Sequence, residues 1–444
     1  MTKDDRFIIA GLGGAKTLQG EIVIGGAKNE ALKVLAGSVL FQDGFTALNV
    51  PEIEDVHRLI ELLKRLGIKV EHPEKNKYSF DTTELKEFSL PADISKKLRA
   101  SIVITGPLLA RFGKVIFPYP GGCVIGKRPI DLFLAGFRKM GAKITEDGEN
   151  FVVEAENGHL VGAEIFSKIQ SVTVTETFMM AGVLARGKTV LKNCPVEPEI
   201  VSLGEWLNEC GAKITGLGTS TIIIEGGELL QGQDKIHHTL PDRIEAGSFI
   251  ILGALAGKEI IVKKCRPDHL DALIAYLSEA GVEIETGPDW VKVINSGREK
   301  FTSLDVKTHE YPGFPTDLQA PFSIFLTQAE GQSYLFETIF EGRLNYFDAL
   351  SRMGAKVKVL DSHRAIIDGP TPLSGREIES PDLRAGLAYV LAAIIASGQS
   401  VVHNVEYIDR GYEEIEKRLV SLGLEIKRVS GDDKNELCQC LPQN

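Results

Sequence analysis

Apolar residues along the chain fall into two kinds of run. Short alternating stretches such as Glu21-Ile-Val-Ile, Lys143-Ile-Thr and Lys356-Val-Lys-Val predict half-buried strands. Between them lie nearly continuous apolar runs, Ser101 to Phe112, Phe249 to Leu255 and Ala385 to Ser397, whose length and lack of a polar face predict helices buried on all sides. Glycine closes these runs with a regular beat. One set (Gly67, Gly141, Gly211, Gly281, Gly354 and Gly423) is spaced by 74, 70, 70, 73 and 69 residues. Each member ends a helix-like run and opens a strand-like one, as in Met140-Gly141-Ala-Lys and Met353-Gly354-Ala-Lys. A second set, Gly44, Gly113, Gly187, Gly257, Gly331 and Gly398, precedes the first and closes the apolar helices. A unit of about 70 residues therefore occurs six times, reading strands, helix, Gly, strand, loop, helix, Gly, strand.

The fold class that follows is α/β, built from six repeated units. Six such units exceed one hydrophobic core, so two lobes of three units are expected. Lobe one is placed at residues 27–238, and lobe two at 1–26 together with 239–430; residues 431–444 read as a disordered tail. The chain is expected to cross between lobes near Gly25 to Lys28 and near His237 to Leu240. The sixth unit ends near Val429 without outgoing strands, and residues 6–24 are expected to complete its sheet. His237 and His238 read as an exposed loop.

Composition narrows the classes of function. With 43% hydrophobic and 25% charged residues and a net charge of -11, the chain reads as globular rather than as a protein that binds nucleic acid through its overall charge. Its longest apolar runs fall short of the roughly 18 residues that a bilayer span needs. The amino terminus lacks a signal peptide's apolar core. These features predict a cytoplasmic protein without membrane contact. Cys123, Cys194, Cys210, Cys265, Cys438 and Cys440 are too scattered for a disulfide framework, and no metal cluster is visible.

The repeat gives the polar residues an address. Arg99, Arg243, Asp317 and Arg384 each lie 14 positions before a glycine of the second set, at the predicted start of a buried helix. Lys28 and Asn29 fall near the same place in the first unit. A second ring, Asp55, Arg128, Glu197, Asp268, Arg343 and Arg410, precedes the second helix of each unit. Helix starts offer free N–H groups and partial positive charge, and arginine forks match phosphate and carboxylate. A cleft lined by Lys28, Arg99, Arg128, Arg343, Arg384 and Arg410 would bind an anion, unless these cations are spent on caps or on ion pairs with Asp55, Glu197 and Asp382. Asp317 is the one acid at an arginine-type position and a candidate base for a hydroxyl, although an N-cap role explains an Asp there equally well.

The second unit has the longest interval between its two glycines, 28 residues against 23 to 25 elsewhere. The surplus falls at Pro118 to Gly126, where Cys123 sits among glycines and is followed by Lys127 and Arg128. Neighbouring cations favour a thiolate, and a loop lengthened in one repeat alone reads as a functional lid.

Six motifs carry a resemblance over about residues 6 to 430. They are Gly26-Ala-Lys28-Asn29, Leu98-Arg99-Ala-Ser-Ile, Pro120-Gly-Gly-Cys123-Val-Ile-Gly-Lys-Arg128-Pro-Ile-Asp-Leu132, Phe314-Pro-Thr-Asp317, Asp382-Leu-Arg384-Ala and Ile408-Asp-Arg410-Gly-Tyr. In these the chain resembles the UDP-N-acetylglucosamine 1-carboxyvinyltransferases, the enolpyruvyl transferases that open peptidoglycan synthesis. The resemblance implies two lobes, each an inverse α/β barrel of three units. It implies transfer of an enolpyruvyl group from phosphoenolpyruvate to the 3-hydroxyl of UDP-N-acetylglucosamine through a tetrahedral ketal, with release of phosphate and no cofactor or metal, by a monomer. Lys28, Asn29, Arg128, Arg343, Arg384 and Arg410 would hold phosphoenolpyruvate. Arg99, Arg128, Pro129, Ile130, Asp131, Leu132, Ser171, Val172, Asp317 and Ile339 would line the nucleotide-sugar site. Cys123 would protonate the methylene carbon and carry a phosphoenolpyruvate adduct, Asp317 would take the hydroxyl proton, and Lys28 and Arg410 would join the catalytic set.

Three positions depart from the family pattern. Phe133 stands where the family usually has His, Thr173 where it has Gly, and Gly342 where it has Asn beside the arginine. These departures leave open an enolpyruvyl transferase acting on a different nucleotide acceptor. A non-catalytic nucleotide-sugar sensor on the same fold is the other alternative, but it predicts lost catalytic groups, and Lys28, Cys123, Asp317, Arg384 and Arg410 are all present. The shikimate-pathway enolpyruvyl transferase shares the fold but lacks the cysteine loop.

Overall fold

The computed structural model describes residues 5–119, 130–295 and 300–431. Within them the strands form six small sheets. The sheet Lys188–Lys192, Thr221–Glu225, Lys213–Thr215 shows the unit plainly: three antiparallel strands, with a short strand, Glu164–Phe166, added parallel to the first. The chain between the two parallel strands is the buried helix Val172–Val183. A helix across a parallel strand pair must be covered by other units on its remaining sides, and the buried helices show it. Every residue from Ile244 in the helix Arg243–Ala256, and every residue of Leu383–Ile395, is buried.

The signature glycines set the joints. Eleven of the twelve have positive φ, from +69° at Gly113 to +135° at Gly44, a backbone region that a side chain rarely enters. Gly257 is the exception and is extended, running directly from its helix into the strand Gly257–Lys263.

The core is double. One cluster of buried side chains draws on residues 31 to 230. The other draws on residues 7 to 24 and 244 to 426. Between the two cores, two segments run antiparallel: Gly26 pairs with Pro241, Ala27 N–H donates to the Leu240 carbonyl at 2.7 Å, and Asp242 N–H donates to the Gly25 carbonyl at 2.9 Å.

The expectation for residues 6–24 holds only for its first strand. Arg6–Ala10 lies between Gln399–His403 and Ile426–Val429 and closes the sixth sheet. Leu18–Val23 instead pairs parallel with Gly257–Lys263 in the fourth sheet. Reciprocally, Ile236–His238, which precedes the fourth unit's helix, pairs parallel with Gly44–Leu48 of the first. The first and fourth units thus exchange their entering strands, because each crossing segment leaves its lobe only after its strand has paired there. This exchange also corrects the reading of His237. It is buried in that strand, with Nε2 3.0 Å from Glu30 Oε1, while His238 is exposed.

Candidate active site

The residues that the repeat assigned to helix starts lie at or just before the starts of five buried helices. Lys28 opens Lys28–Gly37, Arg99 opens the 3-10 turn Arg99–Ile102, Arg243 opens Arg243–Ala256, and Asp317 and Arg384 are second in Thr316–Leu326 and Leu383–Ile395. Asp382 caps the last of these, accepting from the N–H groups of Arg384 at 2.8 Å and Ala385 at 3.1 Å. That cap orients Arg384 rather than neutralising it.

Two carboxylates gather the cations. Arg343 NH1 donates to Asp317 Oδ1 at 2.9 Å, and Arg384 NH2 donates to Asp317 Oδ2 at 2.8 Å. Arg384 NH1 also donates to the Tyr412 hydroxyl at 3.0 Å. Burial alone would raise the Asp317 carboxyl, but Arg384 and Arg343 outweigh it and hold the group well below the usual carboxylate range. Asp317 is therefore an ionised acceptor throughout the neutral range.

The second cluster spans the lobes. Asp55, second in the helix Glu54–Leu66, meets Lys28 Nζ at 2.7 Å and Arg410 Nε at 2.9 Å. Lys28 and Asp55 belong to lobe one, and Arg410 arrives from lobe two, after the helix Glu406–Asp409. Burial pushes the Lys28 ammonium below its ordinary value; Asp55 opposes that shift, while Arg384 and Arg410 add to it. The effect of Arg384 on Lys28 places the two carboxylate clusters within electrostatic reach of each other. Asp55 itself is depressed by Lys28 and Arg410 in spite of its burial.

Other expected site residues stand as follows. Asn29 is second in the Lys28–Gly37 helix, and its carbonyl accepts from Lys33 Nζ at 2.6 Å. Arg99 is half-buried beside Tyr119, and its desolvation lowers its proton affinity. Ile130 is the cap of the helix Asp131–Lys139, and Asp131 and Leu132 form its first turn. Ser171 caps Val172–Val183 through a bond from Val174 N–H, and Ile339 N–H donates to Glu337 at 2.8 Å. Cys123, Arg128 and Pro129, and the tail from 432 onward with Cys438 and Cys440, lie outside the described residues. Of the departures, Phe133 is 5% exposed and joins the lobe-one core. Thr173 is second in its helix, where its carbonyl accepts from the Thr177 hydroxyl. Gly342 adds no side chain beside Arg343, which is held instead by Thr316 and Asp317. Among the described residues there is no group of three or more side chains suited to a metal ion, and no helix long and apolar enough to cross a membrane.

Sequence reasoning missed a buried charge network behind Asn29. Lys33 Nζ lies 3.3 Å from Glu176, a fully buried carboxyl inside the otherwise uncharged helix Val172–Val183. An isolated acid in such a run was the available signal. Next to it, Glu199 pairs with Arg243 of lobe two at 3.0 Å, and Glu197 accepts from Tyr311 N–H at 3.3 Å. Burial pushes Glu176 up to about 8; Lys33 offsets this in part, and Glu199 and Glu197 reinforce it. The folded protein thus keeps Glu176 protonated at pH values where the unfolded chain has released that proton. Stability tied to Glu176 is full below the carboxyl's ordinary value and is lost as pH rises toward 8. Glu176→Gln removes this term. Thermal melts from pH 5 to 8 are expected to show the wild type losing ground to the variant by on the order of 5 °C; parallel curves would contradict it.

The arrangement of six α/β units in two cores is the fold of solved enolpyruvyl transferases. The model of the EPSP synthase (3-phosphoshikimate 1-carboxyvinyltransferase) family matches residues 12–419. A UDP-N-acetylglucosamine 1-carboxyvinyltransferase from Shewanella piezotolerans is 44% identical over 412 residues, 93% of this chain and 97% of that one. One from Desulforapulum autotrophicum is 42% identical over 416 residues, 94% and 98% of the two chains. Among solved structures, the enolpyruvyl transferase NikO from Streptomyces tendae superposes with a TM-score of 0.86 at 21% identity, covering 96% of this chain and 99% of its own. EPSP synthase from Acinetobacter baumannii gives 0.72 at 19%, covering 96% and 100%. The chain belongs to the EPSP synthase family and, within it, to the UDP-N-acetylglucosamine 1-carboxyvinyltransferases.

Proposed function

We propose that the protein transfers the enolpyruvyl group of phosphoenolpyruvate to the 3-hydroxyl of UDP-N-acetylglucosamine, releasing inorganic phosphate, as the first committed step of peptidoglycan synthesis. The observation that carries this reading is the convergence of Lys28 and Arg410 on Asp55, and of Arg343 and Arg384 on Asp317, at helix starts contributed by both lobes. Phosphoenolpyruvate is small and multiply charged, and cations fixed in advance at both its carboxylate and its phosphate suit it. In this reading Lys28, Asn29, Arg128, Arg343, Arg384 and Arg410 bind phosphoenolpyruvate. The sugar nucleotide lies along Arg99, Arg128 to Leu132, Ser171, Val172, Asp317 and Ile339.

The chemistry is an addition followed by an elimination. The sugar oxygen bonds to C2 of phosphoenolpyruvate as Asp317 takes the hydroxyl proton and Cys123 gives a proton to C3. The resulting ketal then loses phosphate as C3 gives a proton back. Asp317 held between two guanidiniums is a weak base. Phosphoenolpyruvate competes with it for Arg343 and Arg384, so binding the donor loosens that grip and raises the basicity of Asp317 when the acceptor is present. The phosphorylated substrates place the reaction in the cytoplasm, and a single chain supplies both lobes, so the working unit is taken as a monomer.

Phosphate release from phosphoenolpyruvate, measured with UDP-N-acetylglucosamine, with shikimate 3-phosphate and with no acceptor, tests the reading. Release is expected with the nucleotide sugar alone; release with shikimate 3-phosphate instead, or none from folded protein, overturns it. In the same samples Cys123→Ser is expected to abolish a phosphoenolpyruvate-sized mass adduct. The described cysteines do not compete for it, since burial pushes the thiols of Cys210 and Cys265 up to about 12 and about 11 and raises that of Cys194 as well.

A further inference from the structure

Glu337 follows the strand Ala329–Phe336, is fully buried, and has no part in the chemistry above. Its two oxygens are occupied. Oε1 accepts from the backbone N–H groups of Ile339 at 2.8 Å and Phe340 at 3.2 Å, and Oε2 accepts from the Thr316 hydroxyl at 2.8 Å. A hydroxyl has one proton. With that proton committed to Glu337, the Thr316 oxygen is left with lone pairs alone, and these face Arg343 NH1 at 2.7 Å. The same NH1 reaches Asp317 Oδ1 at 2.9 Å. Arg343 Nε is buried without a hydrogen-bond partner, and the guanidinium lies 4.9 Å from the centroid of the Phe340 ring. The aim of Arg343 is thus set at NH1, by one hydroxyl and one carboxylate, and from one face by a ring whose own backbone is pinned by Glu337.

We propose that Glu337, acting through Thr316 and the Ile339–Phe340 backbone, is a positioning residue that aims Arg343 at the anionic end of the enolpyruvyl donor. The relay lies wholly within residues 316 to 343, so the arginine is oriented before the lobes enclose a ligand. The inference rests on the reading that Arg343 binds phosphoenolpyruvate.

Thr316→Val, Thr316→Ser and Glu337→Gln, compared with wild type by calorimetric binding of phosphoenolpyruvate and by steady-state kinetics, test it. Thr316→Val is expected to weaken phosphoenolpyruvate binding about 10- to 100-fold, the worth of a hydrogen bond to a charged group, and Glu337→Gln by a similar factor. Thr316→Ser keeps the hydroxyl and is expected to stay within about threefold of wild type, with KM for UDP-N-acetylglucosamine within about twofold in every variant. Wild-type affinity in Thr316→Val, equal losses for both substrates, or a serine variant as weak as the valine one overturns the relay. Should Glu337→Gln not fold, the Val and Ser pair decides, since the hydroxyl separates them. Wild-type protein that binds no phosphoenolpyruvate sinks the functional reading along with the relay. Binding without acceptor-dependent turnover sinks only the acceptor assignment, and the calorimetry still judges the relay.

Discussion

Asp317→Asn is expected to lower kcat by about a thousandfold while phosphoenolpyruvate binds at least as tightly as before. The two effects have one cause. The carboxylate accepts from Arg343 and Arg384 at 2.9 and 2.8 Å; asparagine removes its charge and its basicity but keeps nearly its shape. Both guanidiniums then lack a counter-ion, and an incoming anion no longer has to displace one. The variant also leaves two nearly buried positive charges uncompensated, so the ligand-free protein is expected to melt lower than wild type. Phosphoenolpyruvate or inorganic phosphate should restore more of that stability in the variant than it adds to wild type. Because the Asp317 carboxyl is held well below its ordinary range, its contribution to stability is present above the unfolded chain's carboxyl value and is lost only as pH falls through the depressed folded value. Losses of stability of the ligand-free protein between pH 5 and 7 therefore belong to another group. Melting curves and kcat with and without phosphoenolpyruvate check all of this. A variant that loses kcat and donor affinity together would show that Asp317 holds substrate rather than accepting its proton.

The ease of locating Asp317 and its partners in the sequence follows from the physics of the repeat. Glycine at positive φ has no good substitute, so the joints show at fixed spacing, and counting back 14 positions lands on Arg243, Asp317 and Arg384 at three helix starts. Pairing partners leave no comparable mark. Leu18–Val23 is a short strand with only Leu18 and Ile22 buried, which marks no particular sheet, and it pairs in the fourth before the chain crosses at residues 24–28. In the sequence His237 reads as exposed beside a second histidine, yet strand alternation turns it inward to Glu30 and His238 outward. Asp55 was legible only as a residue that neutralises cations. Its use as a bridge between lobes depends on Arg410, which lies 355 residues further along. Thr316 and Tyr412 stood in plain view inside the recognised motifs, but a hydroxyl has no spacing signature of its own. Glu337 had none either, because its importance comes from which of its oxygens faces which donor.

Lys28→Met is expected to cost at least about a thousandfold in kcat/KM for phosphoenolpyruvate, the largest loss at any of the cations proposed to bind the donor. Lys28 is the lobe-one cation on Asp55, with 12% of its side chain exposed against 5% for Asp55, and methionine keeps its length without its charge. Two explanations for such a loss make opposite predictions in a double variant. If Lys28 serves only to neutralise Asp55, then Asp55→Asn in the Lys28→Met background removes the stranded carboxylate and brings activity back. If Lys28 holds the phosphate of the donor, the double variant stays inactive whatever its stability, since Asp55→Asn also removes the carboxylate that Arg410 reaches. The second outcome is expected. Arg410 reaches Asp55 from the other lobe at 2.9 Å, so the carboxylate already has one counter-ion when Lys28 is gone. What no other described lobe-one residue supplies is an ammonium at the first position of a helix, where the positive end of the helix dipole adds to its pull on an anion. Lys28→Arg keeps the charge but spreads it over a planar fork set for a different geometry, and is expected to retain about one-tenth to one-hundredth of wild-type kcat/KM. Recovery of more than that in the Lys28→Met, Asp55→Asn double variant would assign Lys28 to Asp55 alone and leave the phosphate of the donor to Arg410 and Arg128.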